Sequence, residues 1–504
     1  MSYYLKSKSL DLGEDNDFNV VLNSEDAKRM GIREGETLMI GFGEIELYAD
    51  VFETDTLVKE GEIGLYEEIW ENYNVEEGSR IYADIPERSK SLEAISRKLL
   101  GHSLSKKDLE LIMNDIGCKK LREVEVAFFV STFFNPGFND DEILWMTEGM
   151  AESGDKLSFK DLVGKDGLVV DKHSIGGVAG KGITPTLVPI LVSGGLLVPN
   201  TSTRAITSPA GTSDILEVVM PVKLTKEQIM DVVKKTGGCM FWGGSLSISP
   251  ADDIIINVER SLRIQEFQKV LVSIVAKKIA MGVNHVLIDL PYGKGSKLET
   301  VEEAQMLDRE FKKLFLKVGI ECETIKRIVK GPDGPAIGPN LEIKECLKVL
   351  ERADDRSKAL EDVVLNMAEK LFESTEKVPR GEGKKYAQQL LESGKALDKF
   401  WEIAFAQGAT KKVKSSEISS GKFKFDVLST TNGVVSMVDN SELVNIARAL
   451  GNPKIKEAGI YMYKLNGDKV SKGDVLMTIY ATSNGRLENG KKAINLDKLY
   501  CISC

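Results

Sequence analysis

The chain has 504 residues, of which 42% are hydrophobic and 29% are charged, and its formal net charge is -10. One hydrophobic core does not support this length, so we expect several domains. The acidic balance argues against a nucleic-acid-binding protein, because phosphate backbones require a basic surface. The sequence shows neither the run of about 20 apolar residues that spans a membrane nor a secretory leader, and we expect a cytoplasmic protein without a membrane partner.

The cysteines and histidines do not form a metal-ligand pattern. Six cysteines are scattered along the chain, and Cys501 and Cys504 form its one CxxC pair beside only three histidines in all. A structural zinc site needs four such ligands, usually from two pairs. We therefore predict no metal and no other cofactor, and interpret the cysteines as thiols without a shared role.

The first third of the chain predicts two kinds of structure. Residues 1–84 mix β-rich runs with short polar helices, which indicates a small β-rich N-terminal domain. In residues 85–164, apolar side chains recur at helical spacing, Ser105 and Asp108 form a capping box, and a further helix is predicted at 140–150. This region is predicted to be the first part of a helical lobe.

Residues 165–410 alternate short apolar strands, Gly-rich loops and helices, which is typical of an α/β lobe, here with returning helical segments. Strands are predicted at 168–170 and 286–290, each followed by a loop, and a capping box at 300–303 begins a helix. Open α/β sheets bind ligands where such loops follow the strands.

Residues 411–504 are predicted to form a C-terminal α+β domain. They are β-rich apart from a short helix at 441–450, which ends at Gly451. The Asn466-Gly467 step between apolar runs predicts a hairpin turn.

The sequence DKHSIGGVAGKG at 171–182 has the chemistry of a phosphate-binding loop. Glycines let the backbone approach an anion, Lys172 adds charge and Ser174 adds a hydroxyl. It is not a Walker A loop, because Gly182 stands where Ser or Thr would hold magnesium. The alternative is a Gly-rich connection without a ligand. His173 is the one histidine within a candidate site, and it is either catalytic or a core residue.

A second segment, 201–217, is dense in hydroxyl side chains and contains Arg204. Hydroxyls, backbone amides and a bidentate arginine together suit a phosphorylated ligand. The alternative is that Thr212 and Ser213 cap the next helix while Arg204 pairs with a carboxylate.

Two lysine-bearing segments give a less specific indication of ligand binding. Ser273 and Lys277 stand four residues apart and therefore on one face of an apolar helix, which either binds a ligand or ends in solvent. Lys297 closes the loop 293–297, which is either an anion contact or an exposed turn.

These segments together resemble the thymidine phosphorylase family, and within it the archaeal-type AMP phosphorylases. DKHSIGG at 171–177 resembles the family's phosphate loop, and STRAITSPAGTSDILE at 202–217 resembles its signature in the AMP branch. Similar stretches at 273–277, 393–400 and near the C-terminus extend the resemblance over nearly the whole chain. The N-terminal domain also fits the AMP branch.

The resemblance implies a helical lobe and an α/β lobe that close around two substrates. It assigns inorganic phosphate to Lys172, Ser174, Ser202 and Thr212. It assigns AMP to Gly177, Thr203, Arg204, Ala205, Ile206, Thr207, Ser208, Thr212, Ser273 and Lys297. It also implies that His173 and Lys277 lie near the base or the ribose, and that the chain forms a homo-oligomer, at least a dimer.

The sequence departs from the family at the proton donor. AMP phosphorylases have an aspartate eight residues before the serine that matches Ser273, and here that position is Gln265. A glutamine cannot act as an acid. We therefore predict that Glu266 takes this role, with Asp252 and Asp253 as alternatives.

The expected activity is phosphorolysis of the N-glycosidic bond of AMP, and of CMP or UMP as further candidates, giving free base and ribose 1,5-bisphosphate in nucleotide salvage or degradation. A pyrimidine nucleoside phosphorylase of the same family would also fit, and there Arg260 could contact the base. The same motifs could also belong to a phosphoribosyltransferase or to a non-catalytic nucleotide sensor.

Overall fold

The computed structural model describes residues 3–13, 18–86, 89–164, 167–176, 178–180, 182–205, 208–262, 264 and 266–503. The chain divides into two compact units, one made of Met1–Gly154 with Ser249–Ala276 and the other of Asp155–Ile248 with Lys277–Cys504. Among the described helices, none combines the length and apolar character needed to cross a membrane.

The N-terminal region is a closed barrel. Its elements are β1 (Tyr3–Ser9), β2 (Asn19–Asn23), α1 (Ser24–Met30), β3 (Thr37–Phe42), β4 (Ile45–Thr54), β5 (Glu62–Leu65), α2 (Glu67–Tyr73) and β6 (Arg80–Asp84). The strands pair in the order β1-β5-β2-β4-β3-β6. Alternate side chains such as Leu38 and Ile40 are fully buried inside the barrel, as the period of a strand requires. The predicted β-rich character of this region is confirmed.

Helices follow the barrel in the first unit. They are α3 (Lys90–Leu99), α4 (Lys106–Gly117), α5 (Glu123–Ser131) and α6 (Asp140–Glu152). The predicted capping box begins α4, since the Asp108 amide donates to Ser105 Oγ at 3.2 Å and the Ser105 amide to Asp108 Oδ2 at 3.0 Å. Two later helices complete this helical lobe through the segment Ser249–Ala276.

The middle of the chain alternates strands and helices. Its elements are α7 (Lys160–Val163), β7 (Val170–Ser174), α8 (Ile183–Ser193), β8 (Val198–Ser202), α9 (Thr212–Leu216), α10 (Lys226–Thr236), β9 (Gly238–Trp242), α11 (Pro250–Leu262), α12 (Phe267–Ala280), β10 (His285–Tyr292), α13 (Val301–Lys317) and β11 (Glu321–Ile328). Helix α11, and α12 as far as Ala276, belong to the first unit. The other elements belong to the second.

Strands β7 to β11 of the second unit are parallel, in the orders β11-β10-β7 and β8-β9. A parallel bridge between Val169 and Leu197 leads from β7 to β8. The predicted strand at 168–170 is too early, because β7 pairs with β10 as far as the Ser174–Asp289 register. Lys172, His173 and Ser174 therefore lie on the end of a strand, and the loop begins after them.

The remaining elements form the rest of the second unit. They are β12 (Ala336–Ile337), α14 (Pro339–Leu350), α15 (Lys358–Ser374), α16 (Gly383–Glu392), α17 (Lys395–Ala406), β13 (Phe423–Leu428), β14 (Gly433–Val438), α18 (Asn440–Leu450), β15 (Gly459–Met462), β16 (Lys469–Val470), β17 (Val475–Ala481), α19 (Asn484–Ala493), α20 (Leu496–Leu499) and β18 (Tyr500–Ser503). Helix α8, almost entirely buried, packs against α15 and α17. The C-terminal sheets are β12-β15-β17-β13 and β16-β14-β18.

The hairpin predicted at Asn466-Gly467 is wrong. Strands β15 and β16 flank this turn but belong to different sheets, β15 pairing with β12 and β17, and β16 with β14. Gly467 does adopt a left-handed φ of 92°, so the turn chemistry is present without the hairpin.

Candidate active site

The carboxyl end of β7 carries three of the predicted site residues. The Lys172 side chain is mostly buried, with 7% of the residue exposed, while His173 and Ser174 are half-buried. Ser174 Oγ donates a hydrogen bond to Asp289 Oδ2 at 2.8 Å and accepts one from the Gly176 amide at 3.4 Å. The serine hydroxyl is thus held by the neighbouring strand.

Asp289 is part of a buried charge cluster. Arg327 binds both of its oxygens, with Nε at 2.8 Å and Nη2 at 3.0 Å, and also pairs with Asp333. Burial opposes ionisation of Asp289, but the Arg327 guanidinium, Lys172 and the Ser174 hydroxyl together hold the pKa of this carboxyl below its usual range. Asp289 is therefore an ionised carboxylate whose partners fix its orientation.

A second buried pair lies at the other end of the same strand segment. Lys278 Nζ is 2.6 Å from Asp171 Oδ2, and both side chains are fully buried. Asn200 Nδ2 donates to Asp171 Oδ1 at 2.6 Å and so connects β7 to β8. These contacts fix the backbone from which Lys172 and His173 project.

The hydroxyl-rich segment, 201–217, is held in place by hydrogen bonds to other groups of the protein. Ser202 Oγ donates to the Phe241 carbonyl at 3.0 Å and lies 2.7 Å from Ser213 Oγ. Asp214 Oδ2 accepts from the amides of Ala205 at 2.8 Å and Gly211 at 2.7 Å, which folds the segment back on itself. The expectation that Thr212 and Ser213 cap α9 is not what the structure shows, because the capping carboxylate is that of Asp214.

Arg204 pairs with a carboxylate, as one sequence interpretation expected. Its Nη2 atom lies 2.5 Å from Glu217 Oε1, and its guanidinium carbon lies 4.5 Å from the centre of the Trp242 ring. About half of the side chain, 47%, remains exposed, so the guanidinium is held in place by these contacts but is still accessible to a ligand. Because stacking on the indole ring restricts the guanidinium, Arg204 offers a well-oriented cationic group for binding an anion.

The first unit holds Ser273 in a separate buried network. Ser273 Oγ donates to Asp252 Oδ2 at 2.7 Å. Lys269 Nζ lies 3.2 Å from Asp252 Oδ1 and 2.8 Å from Glu259 Oε2, and the Lys269 and Asp252 side chains are 4% and 0% exposed. The Asp252 carboxylate is thus fully buried, with Oδ2 hydrogen-bonded to Ser273 and Oδ1 facing the Lys269 ammonium group.

Glu266 stands directly before helix α12. Its Oε2 atom accepts from the Lys269 amide at 3.1 Å, so it caps the helix. Burial raises the pKa of Glu266, and this outweighs the opposing effect of the helix amides. A raised pKa is the direction that a proton donor requires.

The other predicted site residues are distributed as follows. Thr203 is exposed, and Ala205, Ser208, Thr212, Lys277 and Lys297 are half-buried. Gly177, Ile206, Thr207 and Gln265 lie outside the described residues. The structure thus brings together Lys172, His173 and Ser174 on β7, and it places Ser273 and Glu266 in the first unit.

No sequence motif pointed to Asp289 or Arg327 as site residues. The available signal was a charged residue inside the apolar strand VLIDL, at 286–290, since a carboxylate in a buried strand requires a partner. Arg327, on the next strand, carried no comparable signal.

Comparisons with known proteins agree with this architecture. Residues 92–154 match the model of the glycosyl transferase family helical bundle domain, residues 166–397 that of the glycosyl transferase family a/b domain, and residues 434–497 that of the pyrimidine nucleoside phosphorylase C-terminal domain. These matches confirm the predicted combination of a helical lobe, an α/β lobe and a mixed C-terminal domain.

Similar proteins cover almost the full chain. An AMP phosphorylase of Methanocaldococcus jannaschii is 42% identical over 98% of this chain and 96% of its own, and AMP phosphorylase 1 of Archaeoglobus fulgidus is 38% identical over 96% and 95%. Among solved structures, anthranilate phosphoribosyltransferase of Thermus thermophilus matches with a TM-score of 0.49 and 17% identity, over 63% of this chain and 99% of that one. Within the glycosyl transferases that combine a helical bundle with an a/b domain, the chain belongs to the AMP phosphorylase family.

Proposed function

We propose that this protein is a pentosyltransferase that cleaves the N-glycosidic bond of AMP with inorganic phosphate, giving adenine and ribose 1,5-bisphosphate. The names of its relatives, which match over nearly the full chain, support this activity. The observation that carries the proposal is the edge of parallel strands at which Lys172 and Ser174 end β7 and Ser202 ends β8. Such an edge is where α/β sheets bind phosphorylated ligands.

Inorganic phosphate is assigned to the β7 and β8 ends, through Lys172, Ser174, Ser202 and Thr212. Lys172 is the charged member of this group, and its mostly buried position makes its attraction for an anion stronger than in solvent. The Ser202 hydroxyl already donates to the Phe241 carbonyl, so its oxygen rather than its proton is available to a ligand.

The nucleotide is assigned to the segment that follows β8. Arg204, stacked on Trp242, is the residue best suited to the 5′-phosphate, because a guanidinium can bind two phosphate oxygens at once. The other proposed AMP contacts are Gly177, Thr203, Ala205, Ile206, Thr207, Ser208, Thr212, Ser273 and Lys297.

In the proposed reaction a phosphate oxygen forms the bond to the anomeric carbon as the bond to the purine breaks, through an oxocarbenium-like transition state. Holding the nucleophile in line can supply about 7–11 kcal/mol in well-oriented cases. Glu266 donates a proton to the departing purine, which is worth roughly 10² to 10⁴-fold. We propose that His173 and Lys277 contact the ribose or the base.

We further propose that the enzyme acts in cytoplasmic nucleotide salvage or degradation and that it is a homo-oligomer, a dimer or larger. Its domains are proposed at 1–84, 85–164, 165–410 and 411–504. Light scattering of the purified chain measures the oligomeric state, and a monomeric mass would contradict that part of the proposal.

The activity is tested by measuring release of free base from AMP, with and without inorganic phosphate, beside CMP, UMP and thymidine. Phosphate-dependent release of adenine is the expected result. Turnover of thymidine alone would instead identify a pyrimidine nucleoside phosphorylase. Binding of AMP without any turnover would identify a nucleotide sensor.

A further inference from the structure

The hydrogen bonds of Ser174 define which kind of anion this hydroxyl can bind. A serine hydroxyl has one proton and two acceptor sites. Its proton points to Asp289 Oδ2 at 2.8 Å, and the Gly176 amide donates to its oxygen at 3.4 Å. One acceptor site is left for a ligand.

This polarity is fixed by the charge cluster behind it. An ionised carboxylate only accepts hydrogen bonds, so Asp289 cannot donate to Ser174. Both Asp289 oxygens are bound by Arg327, and Asp333 binds Arg327 from the other side. The Asp289 and Asp333 side chains are 0% and 4% exposed. If the Ser174 hydroxyl turned its proton away, the buried Asp289 carboxylate would lose one of its hydrogen bonds, which costs free energy.

We propose that Asp289, through Ser174, makes the phosphate site selective for an oxyanion that carries a proton. A bound phosphate would donate its P–OH proton to Ser174 Oγ. Phosphate and arsenate carry at least one such proton at neutral pH, whereas sulfate carries none and would present a charged oxygen to an acceptor. Lys172 attracts all three anions, so it does not separate them. This inference rests on the proposed assignment of phosphate to Ser174.

The same contact would orient the nucleophile. With its protonated oxygen on Ser174, the phosphate has its unprotonated oxygens left for the bond to the anomeric carbon. Asp289 and Arg327 are therefore positioning residues, since they act on the anion through Ser174.

The experiment compares phosphate, arsenate and sulfate at neutral pH. Dissociation constants are measured by calorimetry on the full chain, and sulfate is also tested as a competitive inhibitor of phosphate in the adenine-release assay. We expect sulfate to bind roughly 10- to 100-fold more weakly than phosphate, and arsenate to behave like phosphate. Equal binding of sulfate and phosphate would overturn the inference.

Two variants test whether Ser174 and Asp289 are the cause. In Asp289→Asn the amide can donate to Ser174 Oγ, which frees the serine proton for the anion, so sulfate should gain affinity relative to phosphate. Ser174→Ala removes the acceptor and should also bring the ratio towards one. The matched control is Ser193→Ala, whose hydroxyl only donates to the Ile190 carbonyl at the end of α8; it should keep the wild-type ratio.

The outcomes separate this inference from the proposed function. An unchanged phosphate-to-sulfate ratio in Ser174→Ala would overturn the inference even if Asp289→Asn does not fold. Anion selectivity without adenine release would support the inference and contradict the proposed activity. Adenine release without anion selectivity would support the proposed activity and contradict the inference.

Discussion

Lys278 Nζ lies 2.6 Å from Asp171 Oδ2, and neither side chain is exposed to solvent. Asp171 directly precedes Lys172 and His173 on β7, and its other oxygen accepts from Asn200 on β8. The pair therefore joins helix α12 to both strands whose ends carry the candidate phosphate contacts. A buried charge without its partner is strongly unfavourable, so this contact holds the strand ends in one arrangement.

Lys278→Met is expected to lower the free energy of unfolding by about 3–5 kcal/mol, because it leaves Asp171 charged and buried. Chemical denaturation monitored by circular dichroism measures the change. The control is Lys235→Met, which removes an exposed pair with Asp231 at 3.7 Å and should cost about 0–1 kcal/mol. Equal losses in the two variants would show that the buried pair has no special role.

Glu266→Gln is expected to lower kcat by roughly 10² to 10⁴-fold, because the amide can still cap α12 but cannot donate a proton as an acid does. Since burial raises the pKa of Glu266, the wild-type activity should fall as pH rises through a value above that of an ordinary glutamate. The pH profile of kcat tests whether the activity falls with rising pH, as expected. A variant with wild-type kcat would mean that Glu266 only caps the helix.

A second substitution tests the same assignment from the opposite direction. The family resemblance places an aspartate at the position of Gln265, so Gln265→Asp added to Glu266→Gln should restore a large part of kcat. Stable folding without recovery of activity in the double variant would indicate that the proton comes from another group.

Arg204→Lys is expected to raise KM for AMP by about tenfold with a smaller effect on kcat. Lysine keeps the charge but loses both the stack on Trp242 and the bidentate geometry of the guanidinium. Steady-state kinetics with AMP measures this. The control is Arg29→Lys, an exposed arginine of the barrel that pairs with Glu60, and it should leave KM unchanged.

Gly211→Ala is expected to disrupt the hydroxyl-rich segment. A Cβ atom at this position would lie 2.3 Å from the Thr203 carbonyl oxygen, so the backbone must move. We expect a loss of about 1–3 kcal/mol in unfolding free energy and a raised KM for AMP. The control is Gly485→Ala in helix α19, where a Cβ meets nothing within 4 Å; it should be neutral or stabilising.

Local signals in the sequence predicted several helix ends correctly. The capping boxes at Ser105 and Thr300 begin α4 and α13, and Gly451 ends α18, because each signal depends on contacts within one turn. The Asn466-Gly467 turn shows the limit of such signals. The chemistry of a turn is local, but the choice of strand partner is not.

The supporting contacts of the candidate site were beyond sequence reasoning. Ser174 and Asp289 are separated by 115 residues, and Asp171 and Lys278 by 107. Only the pairing of β7 with β10 and the packing of α12 bring these residues together. Sequence patterns predicted which segments could bind phosphate, whereas the direction of each hydroxyl proton depends on partners that the fold supplies.

The most direct test of the proposed activity is the product made from the sugar. Phosphorus NMR of the reaction of AMP with inorganic phosphate should show ribose 1,5-bisphosphate, in a one-to-one ratio with the free adenine measured by chromatography of the same sample. Neither product should form when phosphate is omitted. Ribose 5-phosphate in its place, formed at the same rate without phosphate, would show that water is the nucleophile and would contradict the proposed phosphorolysis.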